Sequence, residues 1–274
     1  MAITLAAVIV WVMPCALLLA LNAVEIGNSF TYLTQTAQEL AFVTAALGCA
    51  YVFGEKQAIR FLHLKPPHCR MQWAAAMMFA IAAIPGINLL AMWNAQISLA
   101  NFWPALDRLL RTLEEQNAAV LKQLMCTANA GGLCLNLLII ALGAAVSEEF
   151  LFRGTLQHTL QQHCGVHVAV WITAFLFSAV HLQFFGFVPR MLLGAAFGYM
   201  LVWSGSLWVP IMAHFLNNAY VVIGAFAAAH GIIDEATIDI LGTHSTTMLG
   251  LVSIAFAVGM MWLIKRYSAA VVQA

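Results

Sequence analysis

The stretch LCLNLLIIALGAAVSEEFLFRG, residues 133–154, runs from Leu133 to Ser147 without a charge and then places Glu148, Glu149 and Arg153 on one continuous segment. An apolar run of this length can lie in a protein core or in lipid, and the rest of the chain decides between them. Of 274 residues, 63% are hydrophobic and only 8% charged. Mean hydropathy is +0.90. Soluble domains carry about a quarter charged residues, so the bilayer is the natural solvent for this chain. Formal net charge is zero, which gives no basic footprint for nucleic acid.

A spanning helix needs about 20 mostly apolar residues. Outward from the opening stretch, the candidate spans are roughly 3–24, 37–54, 72–93, 132–150, 167–185, 187–204, 207–229 and 247–264. Each satisfies its own backbone hydrogen bonds, which an open sheet in lipid cannot do. The expectation is an all-α, polytopic membrane helix bundle of about eight transmembrane helices, forming one domain over 1–274. The N-terminal run lacks a basic leader and a small-residue cleavage site, so it reads as a retained first span.

Lys56, Arg60, Lys65 and Arg70 follow the second span, and Lys265 and Arg266 follow the eighth. Glu25, Glu39, Asp234, Glu235 and Asp239 are assigned to the opposite connections. The Lys/Arg bias puts both termini in the cytoplasm, of a plasma or inner membrane or of the endoplasmic reticulum. Segment 96–124 pairs helically spaced apolar residues with Asp107, Arg108, Arg111, Glu114, Glu115 and Lys122. It reads as an amphipathic interfacial helix or a long helix packed on the bundle, and Trp103-Pro104 suits its start. The six cysteines are scattered without a C-x-x-C pair and behave as small hydrophobes.

Ionisable residues inside apolar spans cost about 2.5–3.5 kcal/mol each on insertion scales, which makes them functional candidates. Glu148 and Glu149 point about 100° apart on a helix and cannot share one role. Glu149 and Arg153 lie four apart on one face and can pair, which leaves Glu148 as a general base for water. His181 follows Phe177 by four positions, and Asn218 follows His214 by four. Two donors on one helical face suit an oxyanion site. Taken singly, each cluster could equally be a solvated pair or interhelical glue. Together they can perform hydrolysis: Glu148 deprotonates water with help from His181, and His214 with Asn218 holds the oxyanion.

The motifs E-E-x-x-x-R (Glu148, Glu149, Arg153), F-x-x-x-H (Phe177, His181) and H-x-x-x-N (His214, Asn218), in this order, resemble the CPBP family, as does Gly205-Ser206-Leu207-Trp208. That family groups CAAX prenyl proteases of the Ras-converting type with bacteriocin-processing and Abi proteins. The similarity covers about residues 130–225. It implies an intramembrane glutamate-dependent endopeptidase with a conical cavity open to the cytosol, acting on a peptide or membrane-associated protein. By resemblance the activating carboxylate falls on Glu148, its partner on Glu149, the assisting imidazole on His181 and the oxyanion pair on His214 and Asn218.

Three other readings stay open. Glu148, His181 and His214 could hold zinc, although H-E-x-x-H is absent and the preferred mechanism needs no cofactor. The chain could be a non-proteolytic bacteriocin-immunity protein, or a proton-coupled transporter, which would call for internal repeats that are not found. Phe184, Phe185, Phe187, Met200 and Trp203 read as lipid-facing or core residues. One conflict needs resolution. Helix counting sets Glu148 near the inner interface but His181 about fifteen residues into its span, a mismatch of more than about 10 Å. The fourth helix is therefore expected to begin earlier, to be displaced inward, or to continue to about Gln162 within a wet cavity.

Overall fold

The computed structural model describes residues 28–53, 57–125, 129–234 and 246–272. The proposed first span, Glu25, Lys56, Glu235 and Asp239 lie outside them. Among the described residues the chain is helical and contains no strand. We label the helices α1 (Asn28–Phe53), α2 (Arg70–Ala82), α3 (Ile84–Ala95), α4 (Pro104–Met125), α5 (Ala130–Cys164), α6 (Val166–Ala179), α7 (Phe187–Ser204), α8 (Trp208–Ala229) and α9 (Thr247–Val272). Among the described residues, five helices are long and apolar enough to cross a membrane, or six if α2 and α3 form one span bent by 45°. Large apolar side chains such as Leu40, Ile81, Phe175, Val252 and Val258 are exposed on the outer faces. In water they would be a liability; against acyl chains they are in their own solvent. The chain is an integral membrane helix bundle.

Several spans differ from expectation, and polar residues are the reason. α1 begins at Asn28 rather than near 37 because its polar first turns are paired inside the bundle: Tyr32 Oη donates to Asn136 Oδ1 at 2.5 Å, and Asn136 Nδ2 donates to the Leu124 carbonyl at 2.9 Å. Glu39, assigned to a connection, lies within α1 at 9% exposure, with Gln35 Nε2 donating to its carboxylate at 3.0 Å. Its carboxylate also covers Gly143 of α5, where a Cβ would collide with it. The bend between α2 and α3 follows from Pro85, which has no N–H to continue the ladder. Ser253 of α9 repairs the break by accepting from Gly86 N–H at 2.9 Å and donating to the Ala82 carbonyl at 2.5 Å. α4 starts at Pro104, as the Trp103-Pro104 pair suggested. Asp107 accepts from Leu99 N–H at 2.8 Å and from Arg111 Nε at 2.9 Å.

The largest correction concerns α5 and α6. α5 does not end near 150; it continues to Cys164, with π-helical stretches over Leu137–Gly143 and Phe150–Gln157 flanking the α-helical Ala144–Glu149. α6 stops at Ala179 instead of reaching 185, which leaves His181 in the following turn. α5 and α6 join at Gly165, whose φ of +78° suits a residue without a Cβ. Glu148 lies 17 residues before that turn and His181 lies 16 after it, so the hairpin carries both to a similar depth. Continuation of the helix is thus the alternative that occurs.

Candidate active site

The interior of the bundle is organised around Arg153. Its guanidinium is fully buried; Nη1 donates to Glu149 Oε1 at 2.7 Å and Nη2 to the Gly194 carbonyl at 3.0 Å. The ring of Phe177 lies 4.3 Å from its centre and that of Phe197 lies 5.5 Å away. A charge this deep survives only when paired and hydrogen-bonded. Two glycines of α7 permit the approach. A Cβ on Gly194 would fall 3.0 Å from Phe177 and 3.2 Å from Arg153, and one on Gly198 would fall 2.6 Å from Gln157. Gln157 Nε2 donates to the Gly198 carbonyl at 3.1 Å. Gly194 and Gly198 form a G-x-x-x-G spacing, the pattern that brings membrane helices together.

The two adjacent glutamates separate as their helical angle requires. Glu149 has no exposed side-chain surface, and its Oε1 accepts from His214 Nδ1 at 2.9 Å as well as from Arg153. Glu148 retains 13% exposure and lines a cavity of about 280 Å³. His214 bridges the pair, because its Nε2 stands 3.7 Å from Glu148 Oε2. The Phe197 ring stacks on His214 at 5.1 Å, and Phe177 meets it edge-on at 5.8 Å.

His181, Asn217 and Asn218 line the same cavity. His181 Nδ1 donates to the Phe177 carbonyl at 2.7 Å, so that in the neutral ring Nε2 is the lone-pair nitrogen. The turn that carries His181 is clamped on three sides. Ser178 Oγ donates to the Phe187 carbonyl at 2.7 Å, Asn94 Nδ2 donates to the Phe184 carbonyl at 2.8 Å, and Glu114 of α4 accepts Phe185 N–H at 3.1 Å.

Of the six residues expected at the site, Glu148, His181, His214 and Asn218 share the cavity, while Glu149 and Arg153 stand behind it. Phe184, Phe185, Phe187, Met200 and Trp203 are not among its lining residues. Sequence reading missed Arg190, which lines the cavity beside Glu148. The signal was present: Arg190 is the charged residue of the otherwise apolar α7. It also passed over Asn217 and the glycine pair. Among the described residues, no group of three His, Cys, Asp or Glu side chains is arranged to hold a metal ion. The set Glu148, His181 and His214 therefore does not form a ready ligand shell.

Fold and site together define a polytopic membrane helix bundle with a buried Glu–Arg–His network behind a cavity that presents a second carboxylate. Residues 130–220 match the family described as type II CAAX prenyl endopeptidase Rce1-like, so the resemblance drawn from the three motifs is borne out over that segment. The chain is 31% identical over 88 residues to "Uncharacterized protein YpbD" of Bacillus subtilis (strain 168), covering 31% of this chain and 42% of that protein. It is 26% identical over 89 residues to "Putative membrane peptidase YdiL" of the same bacterium, covering 32% of this chain and 36% of that one. The alignments thus span less than half the length of these curated relatives. No solved structure matches the chain.

Proposed function

We propose that this chain is an intramembrane endopeptidase that uses Glu148 to activate water against a peptide bond of a small peptide or membrane-associated protein. The observation that carries this reading is the convergence of Glu148, His181, His214 and Asn218 on one cavity, with Glu149 and Arg153 behind them. Glu148 is the carboxylate that reaches the cavity, so it takes the proton of the attacking water. His181 Nε2, left as an acceptor by the Phe177 carbonyl, takes a second hydrogen bond from that water and orients it. Asn218 donates to the oxyanion of the tetrahedral intermediate. His214 holds its Nδ1–H on Glu149, so it serves the oxyanion only with a second proton on Nε2. Glu149 holds the ring through Nδ1, and Arg153 holds Glu149 in place. Glu148 then returns its proton to the leaving amine.

The same frame supports an orientation in the membrane. Arg70 begins α2, Gln72 Nε2 donates to the carbonyls of Trp203 and Ile264, and Lys265 lies over the Trp203 ring. Arg70, Lys265 and Arg266 therefore gather at one, basic end of the bundle; the α6–α7 turn lies at the other, where Arg111 stands over the Phe185 ring and Arg190 lines the cavity. We place the basic end, with the C-terminus, in the cytoplasm. The cavity then extends from the middle of the bilayer toward the opposite face. The resemblance alone implied a cavity open to the cytosol, and one chain cannot satisfy both orientations.

The test is proteolysis of a peptide library by the full chain in nanodiscs, with wild type and Glu148→Ala, each with and without a chelator. The reading expects cleavage by wild type, a loss of about a hundredfold or more in the variant, and indifference to the chelator. Undiminished cleavage by Glu148→Ala overturns it. Loss of activity with chelator favours the zinc alternative, and immunity function retained in Glu148→Ala favours a binding protein.

A further inference from the structure

Arg190 carries a charge that the mechanism above does not use. It sits in the first turn of α7, within an apolar segment where a guanidinium is costly to keep. Arg153, the other arginine of this core, has a carboxylate partner in Glu149, with the Gly194 carbonyl and two aromatic rings beside it, and only its Nε lacks a hydrogen bond. Arg190 has no such carboxylate bond. Its Nη2 donates to Gln183 Oε1, a neutral partner, and its Nη1 is buried without a hydrogen-bond partner in the protein. Glu148 and Glu114 attract it through space, but neither forms an ion pair with it among the described residues. Glu114 is instead held by Phe185 N–H.

The guanidinium stands at the cavity wall. Arg190 and Gly186 both line it, and a Cβ on Gly186 would stand 3.4 Å from Nη2 and 3.7 Å from Nη1. Any larger side chain there would press on the fork. A cation beside a reaction cavity, bonded only to a neutral amide, has no directly bonded counter-anion. A planar guanidinium with two donor edges matches a carboxylate by two parallel N–H···O bonds.

We propose that Arg190 is the subsite that binds a carboxylate of the peptide substrate and so sets where the chain lies relative to Glu148. This inference rests on the peptidase reading. The carboxylate can come from the C-terminus of the peptide or from an Asp or Glu side chain, and the two sources are separable by experiment.

The experiment uses the full chain in nanodiscs and fluorescent peptides in matched sets: free C-terminal acid against C-terminal amide, and Asp against Asn at the flanking positions. Binding is read by anisotropy in the Glu148→Gln background, where turnover is suppressed. The expected result is that one carboxylate-bearing peptide binds roughly ten- to a hundredfold more tightly than its neutral twin. Arg190→Gln abolishes that preference by weakening only the charged peptide, and Arg190→Lys, which keeps the charge without the fork, restores part of it. With Glu148 intact the same preference appears mainly in KM. Preference for the acid over the amide identifies the α-carboxylate as the ligand, and preference for Asp over Asn identifies a side chain. The proposal is overturned if Arg190→Gln weakens charged and neutral peptides alike, or leaves the preference in place. Arg190-dependent carboxylate binding without any cleavage by wild type would remove the peptidase reading and keep the subsite. Cleavage without a carboxylate preference would do the reverse.

Discussion

Replacing Arg153 with Met tests the buried network at its centre. The substitution removes the 2.7 Å ion pair with Glu149, the bond to the Gly194 carbonyl and the cation over Phe177. It leaves the aliphatic volume nearly filled. Glu149, with no exposed side-chain surface, is then a buried carboxylate with only His214 Nδ1 to answer it. Breaking a buried pair on one side costs about 3–5 kcal/mol, because the remaining charge is uncompensated. Removing both partners costs less, so Glu149→Gln/Arg153→Met should be more stable than the sum of the single variants by about 1–3 kcal/mol. The assay is the folded fraction of detergent-solubilised protein after a heating series, read by size exclusion, for wild type, both single variants and the double variant. Arg153→Lys should fall between, since an ammonium reaches Glu149 but not the Gly194 carbonyl as well. If Arg153→Met matches wild type, or the double variant is strictly additive, the network does not hold the site together and the argument fails.

Other outcomes follow from the same packing. Gly198→Ala should destabilise the bundle by about 1–3 kcal/mol, because its Cβ would fall 2.6 Å from Gln157 Oε1; Gly259→Ala, with open space around it, is the control in the same heating series. Burial holds His63 below the ordinary imidazole value, and its Nε2 shares a 3.2 Å hydrogen bond with His158 Nδ1. Its neutral form is thus the native one: the contribution to stability is complete above about pH 6.5 and is lost as pH falls through the lower folded value. His63→Ala should flatten the change in thermal stability between about pH 7.5 and pH 5, and an unchanged profile would exclude His63 as the group responsible. Single cysteines in place of Arg266 and of Ile232, in a cysteine-free background, should react with impermeant maleimide from the cytoplasmic and the opposite side respectively. Reversed labelling would invert the proposed orientation.

Much of this was legible in the sequence because lipid imposes a simple rule. Apolar runs near 20 residues must be helices, and charges inside them must be paired or functional. That rule located most of the spans and singled out Glu148, Glu149, Arg153, His181, His214 and Asn218 from spacing alone. The same rule failed where polar residues are satisfied inside the bundle. Phe152-Arg153-Gly154-Thr155-Leu156-Gln157 reads as the end of a span, yet Arg153, Thr155 and Gln157 are all fully buried. Carbonyls of α5 and α7 accept their hydrogen bonds, and hydropathy along one helix cannot register acceptors offered by another. Glu39 was misplaced for the same reason.

The amino-acid sequence by itself determined the solvent, the helical class and the chemical inventory of the site, since these depend on composition and on spacing within single helices. Spacing also set Glu149 against Arg153 and left Glu148 over, but tertiary structure decided where each group stands in the bundle. It shows Glu148 facing the cavity with Glu149 behind it, His214 spanning the two carboxylates, and the α5–α6 hairpin bringing Glu148 and His181 to a similar depth. It also leaves Arg190 beside them without a carboxylate of its own. Those assignments depend on the close approach of α7 across Gly194 and Gly198, a contact between helices that no periodicity within either one encodes.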